Sequence, residues 1–126
     1  MCILLVEDEP LIREVMTESL QEAGFEVMQA ESGDRAVELI RDAPCPFSAL
    51  VTDFHMPGRI DGAGVARRMR KVWPRLPVVI VSGRPEVFRE QWESEDGYGV
   101  LRKPYLPRQL IELVRQLVQA AAPDPG

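Results

Sequence analysis

Cys2-Ile3-Leu4-Leu5-Val6-Glu7-Asp8 is an unbroken apolar run of strand length that closes on two acids, and Ala49-Leu50-Val51-Thr52-Asp53 repeats the pattern with one. Continuous apolar runs suit strands buried on both faces, the habit of parallel sheets; half-solvated antiparallel strands alternate instead. Both runs therefore read as central strands with carboxylates at their carboxyl ends. Like charges crowded into one site repel, and burial penalises each ionised form. The pattern makes sense if a divalent cation or a transferred group sits among Glu7, Asp8 and Asp53.

Outward from these two runs, strand and helix patterns alternate along the chain. Candidate strands are Cys2 to Val6, Glu26 to Ala30, Ser48 to Thr52, Val78 to Val81 and Gly99 to Arg102. Helical spacing links Leu11, Val15 and Leu20, then Ala36, Val37 and Ile40, then Val65, Ala66, Met69 and Val72, with a weak pattern around Val87 to Trp92. Pro107 suits the first turn of a last helix that should end near Ala122, leaving Pro123-Asp124-Pro125-Gly126 as a frayed tail. Strict alternation implies right-handed crossovers and one parallel sheet covered on both faces, a doubly wound α/β fold. The second and fifth runs carry polar residues suited to edges, which gives the order 2-1-3-4-5. In that order the topological switch point lies between strands one and three, where ligands bind beyond the carboxyl ends. Glu7, Asp8 and Asp53 meet there.

A chain of 126 residues with 45% hydrophobic and 28% charged content suits one globular domain. Twenty acids against 15 Lys plus Arg give a net charge of -5, which disfavours nucleic acid and offers no polybasic membrane patch. Cys2 and Cys45 form no C-x-x-C pair, and a single histidine leaves no zinc ligand set, so both read as reduced thiols. The first apolar run is too short to span a membrane and lacks the basic flank of a signal peptide, so cytoplasm is the expected compartment.

The fourth candidate strand runs into Ser82-Gly83 and the fifth into Lys103-Pro104, adding a hydroxyl and a cation to the same sheet edge. Phosphoryl transfer to a carboxylate needs a nucleophile, a divalent metal to neutralise charge, and donors for the equatorial oxygens. Leu4-Leu5-Val6-Glu7-Asp8-Glu9, Val51-Thr52-Asp53 with Met56-Pro57-Gly58 and Asp61-Gly62, Val81-Ser82-Gly83, and Lys103-Pro104 supply them in order. With these motifs the chain resembles, over nearly its whole length, the flavodoxin-like receiver domain of two-component response regulators, here of the stand-alone type. On that resemblance residues 1–122 form the receiver and 123–126 the tail.

The resemblance implies that Asp53 accepts a phosphoryl group from the phosphohistidine of a histidine kinase or phosphotransfer protein. It implies Mg²⁺ on Asp8, Asp53 and the His55 backbone carbonyl, with Glu7 reaching the ion through water. Lys103 would pair with one phosphoryl oxygen, and Ser82 would donate a hydrogen bond to another. Gly83 would leave room and offer a backbone N–H. Such a domain is a signalling switch rather than an enzyme, assisting its own phosphoryl transfer and hydrolysis. Its partners would be the donor, a downstream output protein and, on phosphorylation, a second copy.

Several residues depart from the family pattern. Val100 stands three residues before the lysine, where receivers usually place Tyr or Phe, and a β-branched aliphatic lacks the comparable two-position swing. Arg59-Ile60 makes the loop before Asp61-Gly62 one residue longer than the commonest form. In the last helix Leu106, Leu110, Leu113, Val114, Leu117 and Val118 exceed what one sheet-facing stripe buries, which predicts an exposed partner face. A phosphorylation-independent pseudo-receiver is the competing function, opposed by the intact acid, Ser82 and Lys103 set. An enzyme of the haloacid-dehalogenase type also uses a strand-end Asp nucleophile, but that chemistry wants a second acid two residues on, where His55 stands.

Overall fold

Ile3 and Leu5 point to one face of the first strand and Leu4 and Val6 to the other, and all four are fully buried. That double burial makes the strand central. The computed structural model describes residues 2–42, 47–56, 58–83 and 97–121. Its elements are β1 (Cys2–Val6), α1 (Pro10–Glu22), β2 (Glu26–Ala30), α2 (Gly33–Asp42), β3 (Ala49–Asp53), α3 (Gly62–Val72), β4 (Val78–Ser82), β5 (Tyr98–Arg102) and α4 (Pro107–Ala121). All strand pairs are parallel, in the order β2-β1-β3-β4-β5. β3 and β4 are buried throughout, whereas β2 exposes Glu26 and Gln29 and β5 exposes Arg102. This is the expected flavodoxin-like topology, with the edges where the polar residues placed them.

Each face of the sheet carries its own core. Leu4, Val6, Leu50 and Ile80 pack with Ala36 of α2 and Val65, Ala66 and Met69 of α3. Ile3, Leu5, Val51, Val79 and Val81 pack with Met16 and Leu20 of α1 and Leu110 and Val114 of α4. Each such aliphatic side chain removed from water contributes about 1.5–3 kcal/mol before conformational entropy is set against it. Gly24, at φ 97°, ends α1 and lets the chain turn directly into β2.

Three strands differ by a residue or two from the sequence expectation. β3 starts at Ala49 because the Ser48 N–H already bonds the Cys2 carbonyl outside the ladder, and it runs on to Asp53, which pairs with Val81. β4 includes Ser82 through its pairing with Arg102, and β5 begins at Tyr98 opposite Val78. The weak helical pattern around 87–92, Ala122 and the 123–126 tail lie outside the described residues.

The apolar surface of the helices is also distributed differently. Leu110 and Val114 of α4 are buried, and Leu113, Leu117 and Val118 are packed against the core. Gly99 explains the extra capacity: a Cβ there would lie against the Leu113 and Leu117 methyls, so these side chains occupy the space β5 leaves open. Of the α4 set only Leu106, at its entrance, remains widely exposed. Apart from Val72 at the end of α3, the other exposed large apolar side chains among the described residues lie on α1, where Leu11 is 78% and Val15 54% accessible while Met16, Thr17 and Leu20 face the sheet.

Candidate functional site

Parallel strands end side by side, so β1, β3, β4 and β5 bring their carboxyl-end residues to one edge of the sheet. Glu7 follows β1, Asp53 ends β3, Ser82 ends β4 and Lys103 follows β5. Glu7, Asp53 and Ser82 are buried, whereas Asp8 and Lys103 are half-buried. Carboxylate oxygens of Glu7, Asp8 and Asp53 all lie within 4.8 Å of one another. Lys103 Nζ donates a 3.0 Å hydrogen bond to Asp53 Oδ2, closing the group with a cation. The sequence-predicted acids and lysine thus meet in one cluster, with Ser82 beside them on the neighbouring strand.

Three acids facing one lysine leave a surplus of negative charge, and Glu7 bears most of the strain. Its Oε1 accepts the Glu9 N–H at 3.2 Å, while Oε2 is buried and without a hydrogen-bond partner. Burial, and then the neighbouring Asp53 charge, raise the Glu7 carboxyl from its ordinary 4.5 to about 7. For Lys103, burial opposes the charge, yet the hydrogen bond to Asp53 and the surrounding acids prevail and raise its pKa. A buried, partnerless carboxylate oxygen beside two further acids is the donor set that a hard cation requires, so these residues fit a divalent ion such as Mg²⁺.

Further residues shape the cluster; Arg13 carried no signal in the sequence, whereas Asp61-Gly62 stood among the quoted motifs. Arg13 Nη1 reaches back from α1 to the Glu7 carbonyl at 2.8 Å and fixes the turn that presents the acids. Gly62 begins α3 against β3: a Cβ there would collide with the Asp53 carbonyl oxygen and the Phe54 Cα. Asp61 caps the same helix by accepting the Gly64 N–H at 2.8 Å, so the Asp61-Gly62 pair sets the angle at which the chain leaves Asp53. Tyr105 lies within reach of the same field; burial, then the Glu7 and Asp53 charges, push its hydroxyl up to about 12. His55 is exposed, its ring edge-on to Phe54 at 4.7 Å, consistent with a loop residue.

The family model for the response regulator receiver domain matches residues 3–115. The chain belongs to the response regulator receiver family. It is 32% identical to the response regulator receiver protein CpdR of Brucella abortus, over 94% of this chain and 98% of that one. It is 34% identical to the response regulator MprA of Mycobacterium leprae, over 98% of this chain but 54% of MprA, so it spans about half of that relative. Among solved structures, a receiver protein from Sinorhizobium medicae superposes with a TM-score of 0.87 at 32% identity, covering 97% of both chains. The receiver TrrA of Thermotoga maritima, solved in complex with Mg(2+)-BeF, matches with a TM-score of 0.76 at 32% identity over 92% of this chain and 97% of TrrA. Receiver domains are signalling domains of two-component systems rather than classical enzymes, and they interact with histidine kinases and output domains. No helix among the described residues is long and apolar enough to cross a membrane.

The charge on Glu7 makes a prediction for stability. The folded carboxyl holds its proton up to about pH 7, whereas the unfolded one releases it near 4.5, so between these values the folded state binds more protons. The contribution of Glu7 to stability is therefore full below pH 4.5 and is lost as pH rises through 7. Glu7→Gln removes the penalty, and after solvent screening its advantage over the parent should reach about 1–2 kcal/mol above pH 7. In EDTA the melting-temperature gap between variant and parent widens from pH 5 to 7.5, and Mg²⁺ narrows it. A gap that does not change with pH contradicts this assignment.

Proposed function

We propose that Asp53 is the phosphoacceptor of a two-component phosphorelay, with Glu7 and Asp8 holding Mg²⁺ beside it. The observation that carries this is the 3.0 Å Lys103–Asp53 pair set within 4.8 Å of two further carboxylates at the open edge of a parallel sheet. TrrA, with the same family fold, is known in complex with Mg(2+)-BeF, which supports an ion at the equivalent edge here.

A carboxylate oxygen of Asp53 attacks phosphorus, the bond from phosphorus to the donor nitrogen breaks, and the electron pair leaves on the donor imidazole. Asp8, Asp53 and the His55 carbonyl are assigned as Mg²⁺ ligands, with Glu7 bound through water. The ion, when bound, supplies positive charge for the transferring oxygens. Lys103 already sits on Asp53 and moves its hydrogen bonds to a phosphoryl oxygen as charge develops there. Ser82 is placed to donate to a second. The product is an acyl phosphate whose formation redistributes charge at the carboxyl edge, and the output is read by protein contact. Lys103→Ala tests the lysine: modification by acetyl phosphate should slow at least about tenfold, since one charged donor is lost.

Donor docking is assigned to the face beside the acids. Leu11, Ile12, Val15, Tyr105, Pro107 and Leu110 line a cleft of about 350 Å³ between α1 and α4, and Lys103 of the acid cluster is one of its lining residues. A helix carrying a phosphohistidine, laid on Leu11 and Val15, would bring its imidazole to the Asp53 side of the sheet edge. Leu11→Glu with Val15→Glu should slow phosphotransfer from a phosphorylated histidine donor roughly 10- to 100-fold, the worth of two partly buried aliphatic contacts. The rate with acetyl phosphate, which needs no docking, should stay unchanged. Equal slowing with both donors would place the effect on the site and not on the surface.

A further inference from the structure

The opposite edge of the sheet carries a second built surface. Phe47, Val72, Trp73, Pro74, Pro77 and Val118 line a cleft of about 660 Å³ there, and Arg75 is the only charged residue among its described walls. These residues lie where the chain enters β3 and β4 and where α4 ends, so the length of β3, about 16 Å at the usual rise, separates them from Asp53.

Hydrogen bonds and a ring contact brace the walls. Trp73 N–H donates to Met69 O at 2.8 Å, Leu76 N–H to Trp73 O at 3.0 Å, and Arg70 Nη1 to Pro74 O at 3.2 Å. Phe47 and Trp73 meet edge to face at 6.0 Å. A ligand entering such a cleft does not have to order it, which removes a common opposing term in binding. Val72, at the end of α3, is 58% exposed on its rim. Arg75 stands in the wall itself, Arg68 is exposed one turn before Val72 on the same helix face, and Lys71, the residue before Val72, is exposed as well. Lys71 complements the helix dipole, but Arg75 lies beyond the last turn and has no such role.

We propose that this cleft binds an acidic segment of a partner protein through an apolar anchor, and that it does so whether or not Asp53 is phosphorylated. The site goes beyond the phosphoryl switch and is independent of it. Apolar walls with a basic rim select a ligand that presents both features. In a chain of net charge -5 the basic residues gathered here are a local feature, and the overall charge opposes nucleic acid. The partner is then held constantly at one edge of the sheet while the other edge changes state.

The test pans a phage-displayed library of random dodecapeptides against the full chain and measures the selected peptides by fluorescence anisotropy. The selected peptides should carry acids next to Leu or an aromatic residue. Lys71→Glu with Arg75→Glu, both exposed and checked for folding by melting temperature, should weaken them by about tenfold or more. Asp53→Asn and beryllofluoride should change the affinity by less than about twofold, which keeps this result separate from any failure of the phosphoacceptor assignment. In cells, a photo-reactive benzoylphenylalanine at position 72 should capture an acidic segment of another protein. The proposal is overturned if no peptide or only acid-free peptides are enriched, if the charge-reversed variant binds as well as the parent, or if beryllofluoride shifts affinity tenfold. Capture of a second copy of this chain, a basic segment or nucleic acid overturns it equally.

Discussion

Asp53→Asn takes up no phosphoryl group from acetyl phosphate and Mg²⁺ while keeping its fold. The amide oxygen carries no charge and is a poor nucleophile, so the reaction loses the attacking atom itself, a larger effect than removal of any supporting group. The fold tolerates the change because two effects offset each other. Asparagine keeps an oxygen that can accept the Lys103 bond, and it removes the Asp53 charge, which after burial is the main influence raising Glu7. The melting temperature should remain within about 4 °C of the parent, corresponding to roughly 1 kcal/mol in a domain of this size. Phosphorylation of the Asp53→Asn variant would move the acceptor elsewhere.

Gly62→Ala should, like Gly33→Ala, whose Cβ would collide with the Ile60 carbonyl, be among the most destabilising single methyls that can be added to the protein. The new Cβ would overlap the carbonyl oxygen of Asp53 and press on the Phe54 Cα, and both obstacles are backbone. Backbone cannot rotate away as a side chain does, so α3 must separate from the end of β3. We expect a loss of about 2–4 kcal/mol and a melting temperature roughly 10 °C lower. Because the displaced group is the peptide unit of Asp53, the acetyl phosphate reaction should fall as well. Gly83→Ala is the control for stability, since nothing lies within 4 Å of a Cβ at that position. If both substitutions cost the same, the close approach of α3 to β3 does not support the site.

The topology was legible because burial in a parallel sheet imprints itself directly on composition. Leu4-Leu5-Val6 and Val78-Val79-Ile80 have apolar side chains on both faces, while Glu26 and Arg102 mark strands with a free edge. The acids and Lys103 could be placed for the same reason: each stands at the end of a recognisable run, and parallel strands bring equivalent ends together. Helix orientation was less legible. Leu11 and Val15 share helical spacing with Leu20, yet Met16, Thr17 and Leu20 face the core, because an apolar stripe wider than the sheet contact does not state which part is covered. The α4 stripe misled in the opposite sense, since Gly99 on a strand distant in sequence provides the room for Leu113 and Leu117. Arg13 acts through a single backbone carbonyl, that of Glu7, and a contact to a carbonyl leaves no residue-type signature at its other end; Gly62 stood in a quoted motif, but its packing against the Asp53 carbonyl had no such signature.

Val100 is half-buried and packs toward the α3 side of the sheet, in the cluster that also holds Tyr98. The Tyr98 ring is itself engaged, with the Arg70 guanidinium 4.3 Å from its centroid. Tyr105 packs against the other core, on the α1 and α4 side. Neither tyrosine therefore occupies the place of the aromatic that Val100 replaces.

Intact-protein mass spectrometry with acetyl phosphate, in Mg²⁺ and in EDTA, tests the central claim most directly. Borohydride reduction then locates any acyl phosphate along the chain. One phosphoryl group should appear with Mg²⁺ and map to Asp53, and it should be lost or greatly reduced in EDTA. No mass gain with Mg²⁺, or a gain that maps to His55 or to any residue other than Asp53, would contradict the account.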